Sequence, residues 1–166
     1  MRERSTTKMF RMCDYIKEKN TEAFLKEDNK NLYASEFSNI SIETCAYGNV
    51  EMLHHIFSLI RMSDYGKDWC YLGKCLYYAD KFYNEKMIDT VINYIEERDL
   101  QDDVMFYCEK VYEWQKHEKE TDASKILLKY FDCTHLLEND WLNGEVREIL
   151  EKQKLHKDLE QKLAPK

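Results

Sequence analysis

Ile42-Glu43-Thr44-Cys45-Ala46-Tyr47-Gly48-Asn49-Val50-Glu51-Met52-Leu53-His54-His55-Ile56-Phe57-Ser58-Leu59-Ile60 reads as a helical hairpin. A short apolar segment, Ile42, Cys45 and Ala46, leads through Tyr47-Gly48-Asn49 into a second segment. There Val50, Leu53, Ile56, Phe57 and Ile60 fall at helical spacing. The punctuation returns about 35 residues later, the length of a helical repeat. Leu76, Tyr77 and Ala79 precede Tyr83-Asn84-Glu85, and Met87, Ile88, Val91, Ile92 and Ile95 follow. One hairpin copied along the chain is the expectation.

Composition narrows the class. The 166 residues suit one domain, and 43% hydrophobic residues with 12 Tyr, 7 Phe and 3 Trp are enough to build a core. Only 4 Gly and 1 Pro are present, the Pro being Pro165. Strands need turn residues at nearly every reversal whereas helices are interrupted by them, so the chain reads as all-α. The net charge of -7 speaks against a large nucleic-acid interface and against binding to anionic membranes. No uncharged run is long enough to span a bilayer, and MRERSTTKMF is followed by no secretory apolar core. The expected setting is the cytoplasm, with Cys13, Cys45, Cys70, Cys75, Cys108 and Cys133 as free thiols and no disulfide.

The predicted architecture is a short solenoid of stacked antiparallel helical hairpins forming a single domain over 1–166. An atypical N-terminal hairpin occupies 6–26, with Met9, Met12, Cys13, Ile16, Ala23 and Phe24 inward and a break at Asn20-Thr21-Glu22. Residues 26–39 read as a polar connection, with Ser38-Asn39 or Ser41 capping the next helix. Central hairpins fill 41–132, interrupted by loop-like 61–68 and a charged run at 116–122. Asp102 or Asp103 is the expected N-cap of the helix carrying Val104, Phe106, Tyr107 and Val111. A C-terminal capping hairpin and tail occupy 134–166, pairing Leu136 and Leu137 with Val146, Ile149 and Leu150.

Thr44-Cys45-Ala46-Tyr47-Gly48-Asn49-Val50-Glu51 with Leu53, Ile56 and Phe57 resembles the inner core of an ankyrin repeat. The resemblance implies small residues on the first helix that let it approach a neighbour, and a Gly that lets the chain turn. Asn143-Gly144-Glu145-Val146 with Ile149-Leu150 is similar but weaker, and the copy at 76–95 has Tyr83 where the Gly would stand. The likeness covers about half the chain. It lacks the Thr-Pro-Leu-His opening of ankyrin repeats, and its spacing of about 35 to 40 residues is wider than theirs. Tetratricopeptide and pentatricopeptide hairpins have similar lengths and stay open as alternatives.

Chemistry-bearing patterns are sparse. Glu51 and His55 share a helix face at i, i+4, but a zinc site needs three or four converging ligands, so no metal is expected. Cys70 and Cys75 are spaced C-x4-C and read as buried structural thiols. No glycine-rich elbow or phosphate loop is present, and so the reading is no enzyme and no cofactor. What stands out is a dense aromatic series: Tyr71, Tyr77, Tyr78, Phe82, Tyr83, Tyr94, Phe106, Tyr107, Tyr112 and Trp114. One buried face cannot hold them all. Tyr78, Tyr112 and Trp114 are the expected anchors for another protein, since aromatic rings bring large area with few rotors. The function expected is an intracellular adaptor; the alternatives are a pentatricopeptide-like single-strand RNA binder and a compact helical-bundle inhibitor.

The periodicity buries Leu53, Ile56, Phe57, Ile88, Val91 and Ile92 and exposes Glu51, Glu85, Lys86 and Asp89. Truncating Phe57 or Ile88 to Ala should cost roughly 2 to 5 kcal/mol. A denaturation midpoint that does not move for either variant would mean that the hairpin register is wrong.

Overall fold

The computed structural model describes residues 3–27, 32–60, 70–114, 123–142 and 144–164, with only the backbone for 111–114. All regular structure among them is helical. The α-helices are α1 (Ser5–Lys17), α2 (Thr21–Lys26), α3 (Ala34–Tyr47), α4 (Val50–Leu59), α5 (Cys70–Lys81), α6 (Glu85–Glu97), α7 (Gln101–Trp114), α8 (Ala123–Tyr130) and α9 (Gly144–Leu163). A 3-10 turn covers Thr134–Glu138. Residues 61–68, read above as loop, 116–122, read as a charged run, and Asn143, part of the weaker repeat match, lie outside the described residues.

The first three hairpins form two layers. In one, α1 packs on α3 and α3 on α5; in the other, α2 packs on α4 and α4 on α6. The core runs between them through Met12, Ile16, Phe24, Ile40, Met52, Leu53, Ile56, Leu72, Leu76, Met87 and Ile95. The expected register holds there: Leu53, Ile56, Phe57, Ile88 and Val91 are buried, Ile92 is half-buried, and Glu51, Glu85, Lys86 and Asp89 face solvent. The layering changes at the fourth hairpin. A stack continued in register would lay α8 on α6, but α7 and α8 both pack on α5.

Three local expectations are corrected. Helix α3 starts at Ala34, well before residue 41, and neither Ser38 nor Ser41 caps it. Their hydroxyls, with that of Thr44, donate to the carbonyls of Ala34, Phe37 and Ile40 one turn back (3.0, 2.8 and 2.7 Å). This is the alternative bond that serine and threonine make inside a helix, and it lets Ser41 and Thr44 be buried. Asp102 and Asp103 lie in the first turn of α7, where their charge favours the helix N-terminus, and Gln101 precedes them. Leu136 and Leu137 sit in a five-residue 3-10 turn, so the C-terminal hairpin has a single α-helix. That helix, α9, runs unbroken to Leu163 with Leu155, Leu159 and Leu163 exposed.

Of the glycines among the described residues, one lies where helices meet. Gly48 has φ -93°, so it supplies space and not a left-handed turn. A Cβ there would lie 2.9 Å from the Thr44 carbonyl oxygen. Gly144 has open space around it, so its resemblance to Gly48 has no steric counterpart. Gly73, within α5, is the tight one: an added Cβ would meet the Cys108 Sγ at 2.6 Å and the Ala123 Cβ at 3.0 Å. Gly73→Ala gains helix propensity but forces α7 and α8 away from α5. A net loss of about 1 to 2 kcal/mol in denaturant unfolding is expected, partly recovered by adding Cys108→Ala. Unchanged or raised stability would mean that the contact at Gly73 is looser than this.

Candidate docking edge

The turns inside the first three hairpins share one device. Asn20, Asn49 and Asn84 each end the turn, and each side-chain oxygen accepts from the backbone N–H three residues on, at Ala23, Met52 and Met87 (3.2, 2.9 and 3.1 Å). This satisfies one of the orphan donors of the second helix. In the first and third hairpins the preceding residue is left-handed: Lys19 at φ 56° and Tyr83 at φ 55°. The Asn20 N–H reaches the Tyr15 carbonyl, and the Asn84 N–H the Ala79 carbonyl. The Lys19 and Tyr83 amides likewise bond to Ile16 and Asp80, giving paired Schellman closures. Asp99 repeats the closure after α6.

The turns line up along one edge. The Asn49 amide donates to the Thr21 hydroxyl of the first hairpin (2.8 Å). Tyr47, at the end of α3, lies against Phe82, just past the end of α5, with ring centroids 6.2 Å apart. Lys81 holds its ammonium 5.9 Å from the ring centroids of both Phe82 and Tyr78. Tyr47 is 49% exposed, Phe82 48% and Tyr83 89%. Beside them Asp80 accepts from Lys129 (2.8 Å) and from the Tyr130 hydroxyl. These two donors hold the Asp80 carboxyl below its usual range, so the ion pair persists into mildly acidic solution. Burial first, and then the Asp80 bond, push the Tyr130 hydroxyl up.

Of the anchors expected from sequence, Tyr78 is half-buried and joins this group through Lys81 and an edge contact with Tyr77. The side chains of Tyr112 and Trp114, at the end of α7, lie outside the described residues. Two aromatics of the series are core: Tyr71 and Tyr94 are buried, and the Tyr94 ring stacks on Phe57 at 4.3 Å under the Arg98 guanidinium. Sequence reading missed Tyr47, Phe82 and Tyr83 as the exposed cluster. The available signal was Tyr83 standing where the repeat pattern wants Gly.

Other surfaces offer less. His54 is exposed, and His55 is half-buried with its ring edge-on to Phe24 at 6.0 Å, burial lowering its pKa. Among the described residues no three His, Cys, Asp or Glu side chains converge as metal ligands, and no helix is long and apolar enough to cross a membrane. An open groove of about 370 Å³ beside α9 is lined by Leu137, Arg147, Glu151, Lys154, Leu155 and Asp158. Its two cations and two carboxylates cancel, and Arg147 donates to the Leu137 and Asn139 carbonyls.

A tyrosine in the left-handed region is strained relative to glycine, by about 1 kcal/mol or more. At 89% exposure the Tyr83 ring gains little from its own chain in return. Tyr83→Gly should therefore stabilise the fold by about 0.5 to 1 kcal/mol in urea unfolding, the extra freedom of unfolded Gly taking back part of the relief. A lower midpoint would mean that the ring packs on this chain after all. No family model matches the sequence, and no curated protein and no solved structure matches the chain.

Proposed function

We propose that this chain is a protein-binding adaptor: a short solenoid of stacked helical hairpins, working in the cytoplasm without catalysis or cofactor, that grips a partner protein along its turn edge. The observation that carries the reading is Tyr83, a bulky ring held in a strained backbone conformation and almost wholly exposed. The left-handed backbone itself closes the helix, as at Lys19 and Asp99; a bulky exposed ring at a position where glycine would close it without strain is the pointer to function. Phe82 and Tyr47 extend the ring surface, and Lys81 over Phe82 and Tyr78 adds a cation at its margin. Such a surface resembles the aromatic anchors that dominate protein interfaces.

The test is site-specific photocrosslinking in the native cell. A photoreactive phenylalanine analogue replaces Tyr83 in one sample and the exposed Glu97 in another. The reading expects a discrete protein adduct from position 83 that position 97 does not give. Phe82→Ala should then weaken that partner by about 30-fold, the scale of a hot spot, with an unchanged thermal midpoint. Adducts to RNA at position 83, with an affinity falling steeply as salt rises, would replace the protein-adaptor reading with the RNA-binding one. Equal adducts at both positions would remove the turn edge from consideration.

A further inference from the structure

The cysteines of α5 do not act as the C-x4-C pair that their spacing presents. Each turns to a different helix. Cys75 shares a thiol hydrogen bond with Cys45 of α3, and Cys70 with Cys108 of α7. All four are buried. The second pair joins α5 to α7 at their contact beside Gly73. The Cys108 Sγ lies 3.8 Å from the Cys70 carbonyl oxygen. The absence of a side chain at Gly73, one turn along α5, is what lets that sulfur sit so close to the α5 backbone. Cys70, the first described residue of α5, keeps a little exposure at 6%. Cys75 lies mid-helix and is wholly buried.

We infer that Cys70 and Cys108 form a redox-responsive staple, which a small-molecule disulfide closes into a bridge fastening α7 to α5 and a thiol reductant reopens. In the first step the Cys70 thiolate attacks one sulfur of the reagent disulfide and expels a thiolate, leaving a mixed disulfide on Cys70. The Cys108 thiolate then attacks the Cys70 sulfur and expels the second reagent thiolate. Two protein thiols are oxidised, one reagent disulfide is reduced to two thiols, and the two thiol protons pass to the expelled thiolates. The resting form is the dithiol. The hydrogen bond that the Cys108 thiol shares as donor with Cys70, and burial, keep that thiol protonated well past neutrality, with Glu109 acting in the same direction and Lys74 against it. Closure is consequently slow, and faster at higher pH.

The experiment exposes the native, full-length protein to 2-hydroxyethyl disulfide at pH 8.5, blocks residual thiols, and maps peptides without reduction. The expected product joins the Cys70 and Cys108 peptides at two mass units below their sum. A bridge across a loop of this length should raise the thermal midpoint by roughly 5 to 10 °C, and dithiothreitol should reverse the rise. Cys108→Ser should abolish both the joined peptide and the shift; if that variant does not fold, the wild-type map alone decides. Recovery of Cys70 and Cys108 as blocked free thiols, as separate reagent adducts, or joined to other cysteines would overturn the inference.

Discussion

The approach of α7 and α8 to the backbone of α5 at Gly73 is the contact on which the rest of the arrangement turns. Seven of the twelve residues of α5 are buried, and α3, α6, α7 and α8 all pack on it. A helix surrounded on so many sides has little room for large side chains at every contact. The chain meets this with small residues where backbones converge: Gly73, Cys75 and Ala79 on α5, Ser41, Thr44 and Cys45 on α3, Cys108 on α7 and Ala123 on α8. The same choice explains the cysteines. A thiol is a small apolar group, and four of them fill sites between helices too close for leucine. Bulk returns farther from the contact, in Leu72, Leu76, Leu127 and Leu128.

What recurs along the chain is a cap. The eye is drawn to Gly48 and to the echo at Gly144, but one keeps a negative φ and the other borders empty space. Asn20, Asn49 and Asn84 do the same physical work in three hairpins, and their neighbours adjust to it. Lys19 and Tyr83 accept a left-handed backbone so that the helix C-terminus closes and the asparagine lands on the next N-terminus. The hydrogen bond from Asn49 to Thr21 then ties one turn to the next, which keeps the turns along one edge. An asparagine-centred turn has no distinctive composition, and asparagine is common in loops generally. Sequence reading accordingly found the breaks and misjudged which residue made them.

The inward faces of α4 and α6 were legible because a 3.6-residue alternation has one structural answer: Leu53, Phe57, Ile88 and Val91 are buried and the intervening acids are not. Two things were not legible. The start of α3 was hidden by polar residues that read as a linker, since hydroxyls bonding one turn back leave no trace in a hydropathy pattern. The shift of α8 onto α5 was hidden because periodicity says which face is buried and nothing about which neighbour buries it. The aromatic cluster fell between these cases. Aromatic density marked the right region of α5, but ring-by-ring burial depends on where the helix ends, and Phe82 and Tyr83 lie just beyond that end.

Charge bears on which kind of partner the proposed turn-edge interface would take. The chain carries -7 overall, so a polyanion must find a local excess of cations to bind. Among the described residues, the cations shown beside the aromatic cluster are Lys81 and Lys129, and Lys129 is already tied to Asp80. Lys81 lies over two rings, where its charge strengthens the aromatic surface as much as it offers a phosphate contact. Stacking of bases on exposed rings usually works alongside a cationic groove that follows the backbone of the strand. Here the rings are present and that groove is not assembled around them among the described residues. A surface that is aromatic, nearly neutral once Asp80 and Lys129 cancel, and borne on a closed set of hydrogen-bonded turns fits the apolar centre and polar rim of a protein interface better than it fits a nucleic-acid strand.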